Sequence, residues 1–205
     1  VRGVLDKNIS DIKNQINEAE KLKEDAKNIL TENEILPFES TNGQVLYQNA
    51  GKTIKKGAEL ELNAQLNSNF VIDYSLTMGG YKFENFSNGE IDYSKNNIAG
   101  IPNSFHKLSL NYTNDKGINL GISWKRVGKI YTNNSNTSLV AGYNLINFNF
   151  SKKVFLFGLD VTPFLAIGNL LNEKYIDNIR INAFGSRFYE AAPKINFVSG
   201  IKFNL

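Results

Sequence analysis

The chain has 205 residues, no cysteine, one histidine and a formal net charge of +3 at pH 7. Without cysteine it can form neither a disulfide framework nor a thiolate metal site, and a single histidine excludes a multi-histidine metal centre. Lysines and carboxylates are interleaved along the sequence. It lacks a basic stripe with stacking aromatic residues, so nothing in it indicates nucleic-acid binding. A mean hydropathy of −0.30 without a long apolar run excludes transmembrane helices.

The first segment of the chain, residues 8–30, carries apolar side chains at the spacing of an α-helix. These side chains are Ile9, Ile12, Ile16, Ala19, Leu22, Ala26, Ile29 and Leu30. Lysine, glutamate, aspartate and asparagine lie between them, which predicts one amphipathic helix that covers a surface or docks on a partner. Because charged residues interrupt the apolar ones, the segment does not have the pattern of an export signal. We assign residues 1–32 to this helical segment.

Residues 33–205 follow a different pattern, in which apolar and polar residues alternate with the period of two of a β-strand. Leu60 and Leu62, for example, alternate with Glu59 and Glu61, and most segments have the length of a tilted strand that crosses a membrane. We predict about eight antiparallel meander strands after Asn33, each with one apolar and one polar face. The residues expected to face lipid are Leu60, Tyr74, Leu110, Trp124, Phe148, Leu165 and Phe203.

The connections between these segments alternate in length. Short turns are expected at residues 67–69, 114–117 and 154–158, and long polar loops at residues 87–103, 132–142 and 176–194. Outer-membrane barrels show this asymmetry, and the pattern places the carboxyl terminus at the short-turn end. Aromatic residues near the long loops are expected to form an interfacial girdle. They are Tyr74, Tyr81, Phe83, Phe86, Trp124, Tyr131, Tyr143 and Tyr175.

Four motifs follow one another along the same part of the chain. They are residues 34–39 (EILPFE) with 47–52 (YQNAGK) and 57–60 (GAEL), residues 101–102 (IP) before 106–108 (HKL), residues 169–175 (NLLNEKY) and residues 189–197 (YEAAPKINF). In this order they resemble motifs of the TonB-dependent outer-membrane receptors, and the third resembles the NLFNKRY signature of that family. The resemblance covers about residues 33–205 and implies the C-terminal portion of a large all-β transmembrane barrel.

The resemblance also implies a function. The chain is expected to be a fragment of a receptor for energy-dependent uptake of an iron complex, a siderophore or haem, in the bacterial outer membrane. Its implied partners are outer-membrane lipid, the iron chelate, the TonB energy-transducing complex in the full-length receptor and the barrel assembly machinery. The terminal Gly200, Phe203 and Leu205 resemble the assembly signal that this machinery reads. Because the plug domain and the TonB-contacting motif have no counterpart in these residues, we expect no transport by the chain alone.

Candidate ligand-binding residues lie in the last long loop. Arg180 and Arg187 can donate bidentate hydrogen bonds and Tyr189 adds an aromatic face, a set suited to an anionic iron chelate. His106 is expected to bond to a neighbouring side chain rather than to act as a ligand or catalyst. Glu59 and Glu61 share a face with polar residues and are read as a solvated wall. No catalytic constellation, cofactor site or metal site is visible, so we predict a protein that is not an enzyme.

Two other classes remain open. One is a free-standing small outer-membrane β-barrel with a structural or adhesive role, because eight strands can close on themselves. Its interior would have to be filled, whereas the inward residues are small and polar and favour an open sheet or a wide lumen. These inward residues are Gly121, Ser123, Asn147, Asn149 and Ser151. The other class is a soluble β-sandwich, in which one face of each sheet lies on a core.

Overall fold

The computed structural model describes residues 27–32, 34–49, 51–186 and 189–204, which form strands joined by turns and irregular connections. In chain order the strands are β1 (Lys27–Glu32), β2 (Ile35–Glu39), β3 (Val45–Asn49), β4 (Lys52–Gln65), β5 (Phe70–Asn85), β6 (Ser87–Asn88), β7 (Ile91–Asp92), β8 (Ser104–Thr113), β9 (Ile118–Val127), β10 (Ile130–Tyr131), β11 (Leu139–Val140), β12 (Tyr143–Lys152), β13 (Val154–Leu156), β14 (Leu159–Gly168), β15 (Ile176–Ile179), β16 (Tyr189–Ala191) and β17 (Asn196–Asn204). A single 3-10 turn spans Phe184–Ser186. Nowhere in these ranges is a helix both long and apolar enough to span a bilayer.

One antiparallel sheet contains all the long strands. Its order is β1-β4-β5-β8-β9-β12-β14, followed by β17 on the far side of β14. The short strand β13 continues the line of β12 after Lys153 and pairs with the first residues of β14. Apart from the loop hairpins, each strand therefore lies beside the strand before it, which confirms the predicted antiparallel meander.

The connections divide between the two ends of the sheet as the sequence predicts. Short turns join β4 to β5, β8 to β9 and β13 to β14 at one end, and the chain returns to this end along β17. In the second turn, Asn114 Oδ1 accepts hydrogen bonds from the amides of Lys116 and Ile118 and closes the hairpin. In the third, Phe157 and Gly158 both have positive φ, the conformation that two-residue hairpin turns require.

The opposite end of the sheet carries four long connections. We call them the first (residues 33–51), second (86–103), third (128–142) and fourth (169–195) external connections. Each contains a two-stranded hairpin of its own: β2–β3, β6–β7, β10–β11 and β15–β16. These hairpins pair the backbone groups of segments that the main sheet does not reach.

The register gives the sheet one apolar and one polar face. Leu60 lies opposite Leu76, Tyr74 opposite Leu108, and Leu108 opposite Trp124. Following the pairs across β12, β14 and β17 places all seven residues predicted to face lipid on this same apolar face. Among the described residues no second layer covers this face, and Phe197 is 76% exposed and Phe203 is 60% exposed. This exposure disfavours the β-sandwich, which needs that face buried.

The predicted helix is wrong over its last four residues, 27–30, which belong to β1. This strand pairs antiparallel with β4, from Lys27 opposite Gly57 to Glu32 opposite Lys52. Helical spacing is a local signal, and here pairing with a neighbouring strand satisfies the backbone groups instead. Residues 8–26 of that prediction lie outside the described ranges. The division at residue 32 stays a prediction, although strand structure already begins at Lys27.

The predicted first edge of the sheet also needs correction. The segment Ile35–Glu39 pairs with Val45–Asn49 inside the first external connection and is not a strand of the main sheet. The main sheet therefore has its first strand before Asn33, where eight strands were expected after that residue. Within the described ranges β1 and β17 do not pair with each other, so the sheet is open, in agreement with the small inward residues.

Candidate functional site: the loop-covered end of the inner wall

The polar face of the main sheet, which we call the inner wall, carries rows of short polar side chains that bond across strands. Thr113 Oγ1 donates to Asn119 Oδ1 at 3.0 Å, and Asn63 Nδ2 donates to Asp73 Oδ1. Glu59 and Glu61 are exposed on this wall, as predicted for a solvated surface. A groove of about 730 Å³ follows it, with Glu61, Asp73, Lys107 and Ser109 among its lining residues. The wall is therefore suited to a water-filled space or a polar partner rather than to a packed core.

Two apolar clusters cover the end of the wall beneath the external connections. The first consists of Leu36, Phe83, Phe86 and Ile98, and Tyr81, Tyr93 and Ile101 pack against it. The second consists of Val127, Ile130, Tyr143 and Leu145, and Phe105, Tyr175 and Ile179 pack against it. These clusters anchor the external connections to the sheet.

The predicted aromatic girdle is correspondingly smaller than expected. Phe83, Phe86 and Tyr143 are buried, with exposures of 1%, 3% and 6%, because the connections fold over them. Phe83 and Tyr143 lie on the inner-wall side of their strands, and Phe86, which follows β5, packs against Phe83. Tyr74 and Trp124 lie on the apolar face. The prediction is therefore wrong for these three buried residues.

Asparagine side chains tie the four external connections together, and we call this set the asparagine network. Asn96 Nδ2 donates to the carbonyl of Asn134 at 2.9 Å, and the amide of Asn134 donates to Asn182 Oδ1 at 2.8 Å. Asn182 Nδ2 in turn donates to the carbonyl of Pro37 at 3.2 Å. A second link joins the amide of Asn97 to Asn136 Oδ1 at 2.7 Å. Each connection is therefore bonded to at least one other.

The fourth external connection lies against the inner wall through one face of β15. Tyr175, which directly precedes the strand, and Ile179 pack on the second apolar cluster, and Asp177 lies between them in the sequence. Asp177 Oδ1 accepts a hydrogen bond from Tyr143 Oη at 3.0 Å and lies 3.9 Å from Lys125 Nζ. Burial, with a smaller contribution from the negative charge of Asp177, raises the pKa of Tyr175.

The predicted ligand-binding residues lie on the outer part of the same connection. Arg180 NH2 is 3.5 Å from Glu190 Oε1, and both side chains are more than half exposed. Tyr189 is 55% exposed at the start of β16, and Arg187 lies outside the described residues. In the β15–β16 hairpin Ile179 pairs with Tyr189, so Arg180 comes directly after the residue opposite Tyr189. The role of these residues in ligand binding stays a prediction.

The remaining predicted site residues lie at other places in the fold. Gly200 and Phe203 are in β17, and Leu205 is outside the described residues, so their reading as an assembly signal stays a prediction. His106 lies on the apolar face, where its Nδ1 is 3.0 Å from Tyr74 Oη. The described part of the chain holds no cluster of three or more histidine or acidic residues that could bind a metal ion.

Sequence reasoning did not find Lys125, Tyr143 or Asp177 as a group. Lys125 and Tyr143 lie on neighbouring strands, and Asp177 is brought to them by a connection whose path the pattern of alternation does not describe. The asparagine network was missed for the same reason. Its one local signal is the density of asparagine in the third connection, at Asn133, Asn134 and Asn136.

An open antiparallel sheet with an exposed apolar face, a polar face, tight turns at one end and interlocked connections at the other has the architecture of a section of a β-barrel wall. The family described as "TonB dependent receptor-like, beta-barrel" matches residues 24–170. The chain belongs to this family.

Solved structures of receptors and transporters share the fold. BauA, the ferric preacinetobactin receptor from Acinetobacter baumannii, is 17% identical with a TM-score of 0.65, over 86% of this chain and 26% of that one. The ferric citrate transporter FecA is 14% identical with a TM-score of 0.63, over 83% of this chain and 27% of that one. The copper transporter OprC is 17% identical with a TM-score of 0.60, over 84% and 26%. The chain thus spans about a quarter of their length.

Proposed function

We propose that the chain is part of an outer-membrane receptor that takes up an iron complex, a siderophore or haem, with energy supplied through TonB. The observation that carries this proposal is the family match over residues 24–170. The similar structures include receptors for ferric siderophores, such as BauA and the siderophore receptor PiuA from Acinetobacter baumannii. In this proposal the exposed apolar face lies against lipid, and further barrel strands pair with β1 and β17, which do not pair with each other among the described residues.

We further propose that the ligand enters from the end that carries the external connections. Arg180, Arg187 and Tyr189 then contact an anionic chelate, because Arg180 and Tyr189 are exposed on the fourth connection and combine guanidinium donors with an aromatic face. Barrel assembly machinery reads Gly200, Phe203 and Leu205. We infer a transport role without catalysis, since the matched relatives are receptors and transporters.

The free-standing small barrel gains no support from these observations. Its two edge strands would have to pair, whereas β1 and β17 are unpaired with each other in the described part of the chain. The small polar residues of the inner wall would also leave a closed eight-stranded interior unfilled. The receptor proposal has neither difficulty, because further strands and an internal partner complete the structure.

Uptake by the complete receptor tests the proposed function. The receptor is expressed in cells that lack their own iron receptors, and accumulation of radioactive iron is measured from a catecholate, a hydroxamate, a citrate chelate and haem. We expect uptake of at least one of these that stops when TonB is deleted. Uptake of copper without uptake of any iron complex would contradict the iron role, while TonB-independent uptake would contradict the energy source.

A further inference from the structure

Asp177 occupies an irregular position in its hairpin. The register of β15 with β16 pairs Ile176 with Ala191 and Asn178 with Glu190, and it skips Asp177. Such a bulge re-aims a side chain, and here the carboxylate turns towards the inner wall while Asn178 and Arg180 bond to Glu190. The hairpin thus presents one carboxylate to the wall at a position that regular pairing does not provide.

The wall offers that carboxylate a set of groups suited to an anion. Lys125 Nζ lies 5.8 Å from the centre of the Phe105 ring and 5.9 Å from that of Tyr143. The centres of the Tyr143 and Tyr175 rings are 4.6 Å apart, so a second aromatic ring lies beside the phenol that bonds to Asp177. A cation held over aromatic faces, next to a phenol that donates a hydrogen bond, favours a carboxylate or a similar oxyanion.

A second lysine strengthens the positive potential there. Lys107 lies directly opposite Lys125 in the register, so the two side chains leave neighbouring strands on the same face, the inner wall. Like charges directly opposite each other destabilise a sheet unless an anion lies near them. Asp177 supplies such an anion to Lys125, but at 3.9 Å the contact is an ion pair and not a hydrogen bond.

Asp177 is held loosely enough to be replaced. Its side chain is 58% exposed, and the Lys125 side chain is 35% exposed, so solvent and solutes reach both groups. The only hydrogen bond given to this carboxylate by the described residues is the one from Tyr143 Oη at 3.0 Å. An exposed pair of this kind contributes little to stability, which leaves the site open to competition by a free carboxylate.

We propose that Lys125 Nζ and Tyr143 Oη form a binding site for a carboxylate oxygen of the transported chelate, and that Asp177 occupies this site when the chelate is absent. The inference rests on the proposed function and deepens it, because it names the chemical class of the ligand. It also makes Asp177 an internal competitor of the chelate for this site. The chelate can bind only to receptors in which Asp177 is displaced. Its apparent affinity is therefore its intrinsic affinity multiplied by the fraction of receptors in that state.

Iron-free citrate is the probe, and its affinity for the complete receptor in detergent is measured by calorimetry. Asp177→Ala removes the competitor and should raise the affinity for citrate about two- to sixfold, because a weak, exposed contact keeps the site occupied for only part of the time. Adding Lys125→Met to that variant should return the affinity to the original value or below. Asp160→Asn is the matched control, because Asp160 pairs with Lys153 at the short-turn end, 2.7 Å away, and its loss should change nothing.

The outcomes separate a ligand site from a structural latch. If Asp177 only fastens the fourth connection, Asp177→Ala leaves citrate affinity unchanged or lowers it, and the proposal is overturned. Absence of citrate binding by any folded variant overturns it as well. Failure of the proposed function gives a different result. If the receptor takes up no iron complex but Asp177→Ala still gains citrate affinity, the carboxylate site is supported and the role in iron uptake is not. Protection of the sheet from protease confirms that each variant is folded.

Discussion

The hydroxyl of Tyr74 lies 3.0 Å from Nδ1 of His106, and the two residues occupy neighbouring strands on the apolar face. The ring of Trp124 lies 5.8 Å from the imidazole on the other side. Trp124 Nε1 also donates to Asn144 Oδ1 at 3.2 Å, so a polar row continues across the face. The only histidine in the chain is thereby engaged on the side away from the inner wall.

Replacing His106 should therefore affect folding and not ligand binding. We expect His106→Ala to lower the free energy of unfolding by about 1 kcal/mol, the typical net value of one hydrogen bond. Tyr74→Phe should cost a similar amount, and the double variant should cost less than the sum because both changes remove the same bond. Loss of iron-chelate binding in His106→Ala, with the fold intact, would show that the histidine acts as a ligand.

A cation on the apolar face should destabilise the protein if that face contacts lipid. Leu110 lies between Ile72 and Ile122 on this face, and we expect Leu110→Arg to cost about 2 to 4 kcal/mol near the bilayer midplane. Asn111→Arg, one residue further on the inner wall, is the matched control and should cost much less. The measurement is the free energy of unfolding of each variant in bilayers. Equal costs for both variants would disagree with a lipid-facing side.

The first external connection should loosen in acid. Glu34 accepts hydrogen bonds from Thr53 Oγ1 at 2.7 Å and Lys55 Nζ at 2.8 Å. Burial alone would raise the pKa of Glu34, but these bonds and the charge of Lys55 outweigh it, and the pKa is lower than its ordinary value of 4.5. A lowered folded-state pKa means that the contribution is complete above pH 4.5 and is lost as the pH falls through the folded value.

Hydrogen exchange of the amides in Ile35–Glu39 measures this loosening. Protection should be constant above pH 4.5 after correction for intrinsic exchange, and should fall below it. Glu34→Gln should give a lower protection that no longer depends on pH in this range. A wild-type profile that stays flat down to pH 2, about two units below the ordinary pKa of Glu, would contradict the assignment.

The ion pair of Arg180 with Glu190 offers a test of the proposed ligand-binding residues. Arg180→Ala removes the cation, and we expect it to weaken binding of an anionic chelate by the complete receptor about tenfold, as for loss of one charged hydrogen bond. Glu190→Gln breaks the same ion pair and keeps the cation, so binding should be unchanged or tighter. Equal losses in both variants would mean that the pair only shapes the hairpin.

Gly57 and Gly79 face each other on the inner wall, where the backbones of β4 and β5 come close. A Cβ at Gly57 would lie 2.6 Å from the carbonyl oxygen of Met78, whereas a Cβ at Gly80 would meet nothing within 4 Å. We expect Gly57→Ala to cost about 1 to 3 kcal/mol through backbone displacement. Gly80→Ala should be nearly neutral. Unfolding free energies that do not differ between the two would refute this crowding.

The faces of the main sheet were predictable because strand alternation is fixed locally. Once Leu60 and Tyr74 are assigned to one face, a period of two places their neighbours without knowledge of the fold. The turn at Asn114 was predictable too, since its side chain bonds to amides two and four residues further along. The resemblance of the four motifs added the family, which matches residues 24–170.

The errors arose where distant residues decide the structure. The spacing of Ile29 and Leu30 is helical, but β4 lies beside them and takes them into the sheet. Phe83 resembles an interfacial aromatic residue until the second connection folds over it. The site at Asp177 depends on a bulge and on strands that precede it by more than thirty residues. None of these contacts has a signature within one segment.

The asparagine network bears on how such a receptor can change its specificity. The link from Asn182 to Pro37 joins residues 145 positions apart, and Asn134 bonds to both Asn96 and Asn182. A chimaera that takes one external connection from a relative would leave the bonded groups of the other connections without partners. Exchanges that preserve folding should therefore replace all four connections together. Insertions at the exposed turn around Asn42 avoid the network and should be accepted. Sequence changes in such receptors should then occur together in the four connections, whereas the exposed tip of a single connection can vary on its own.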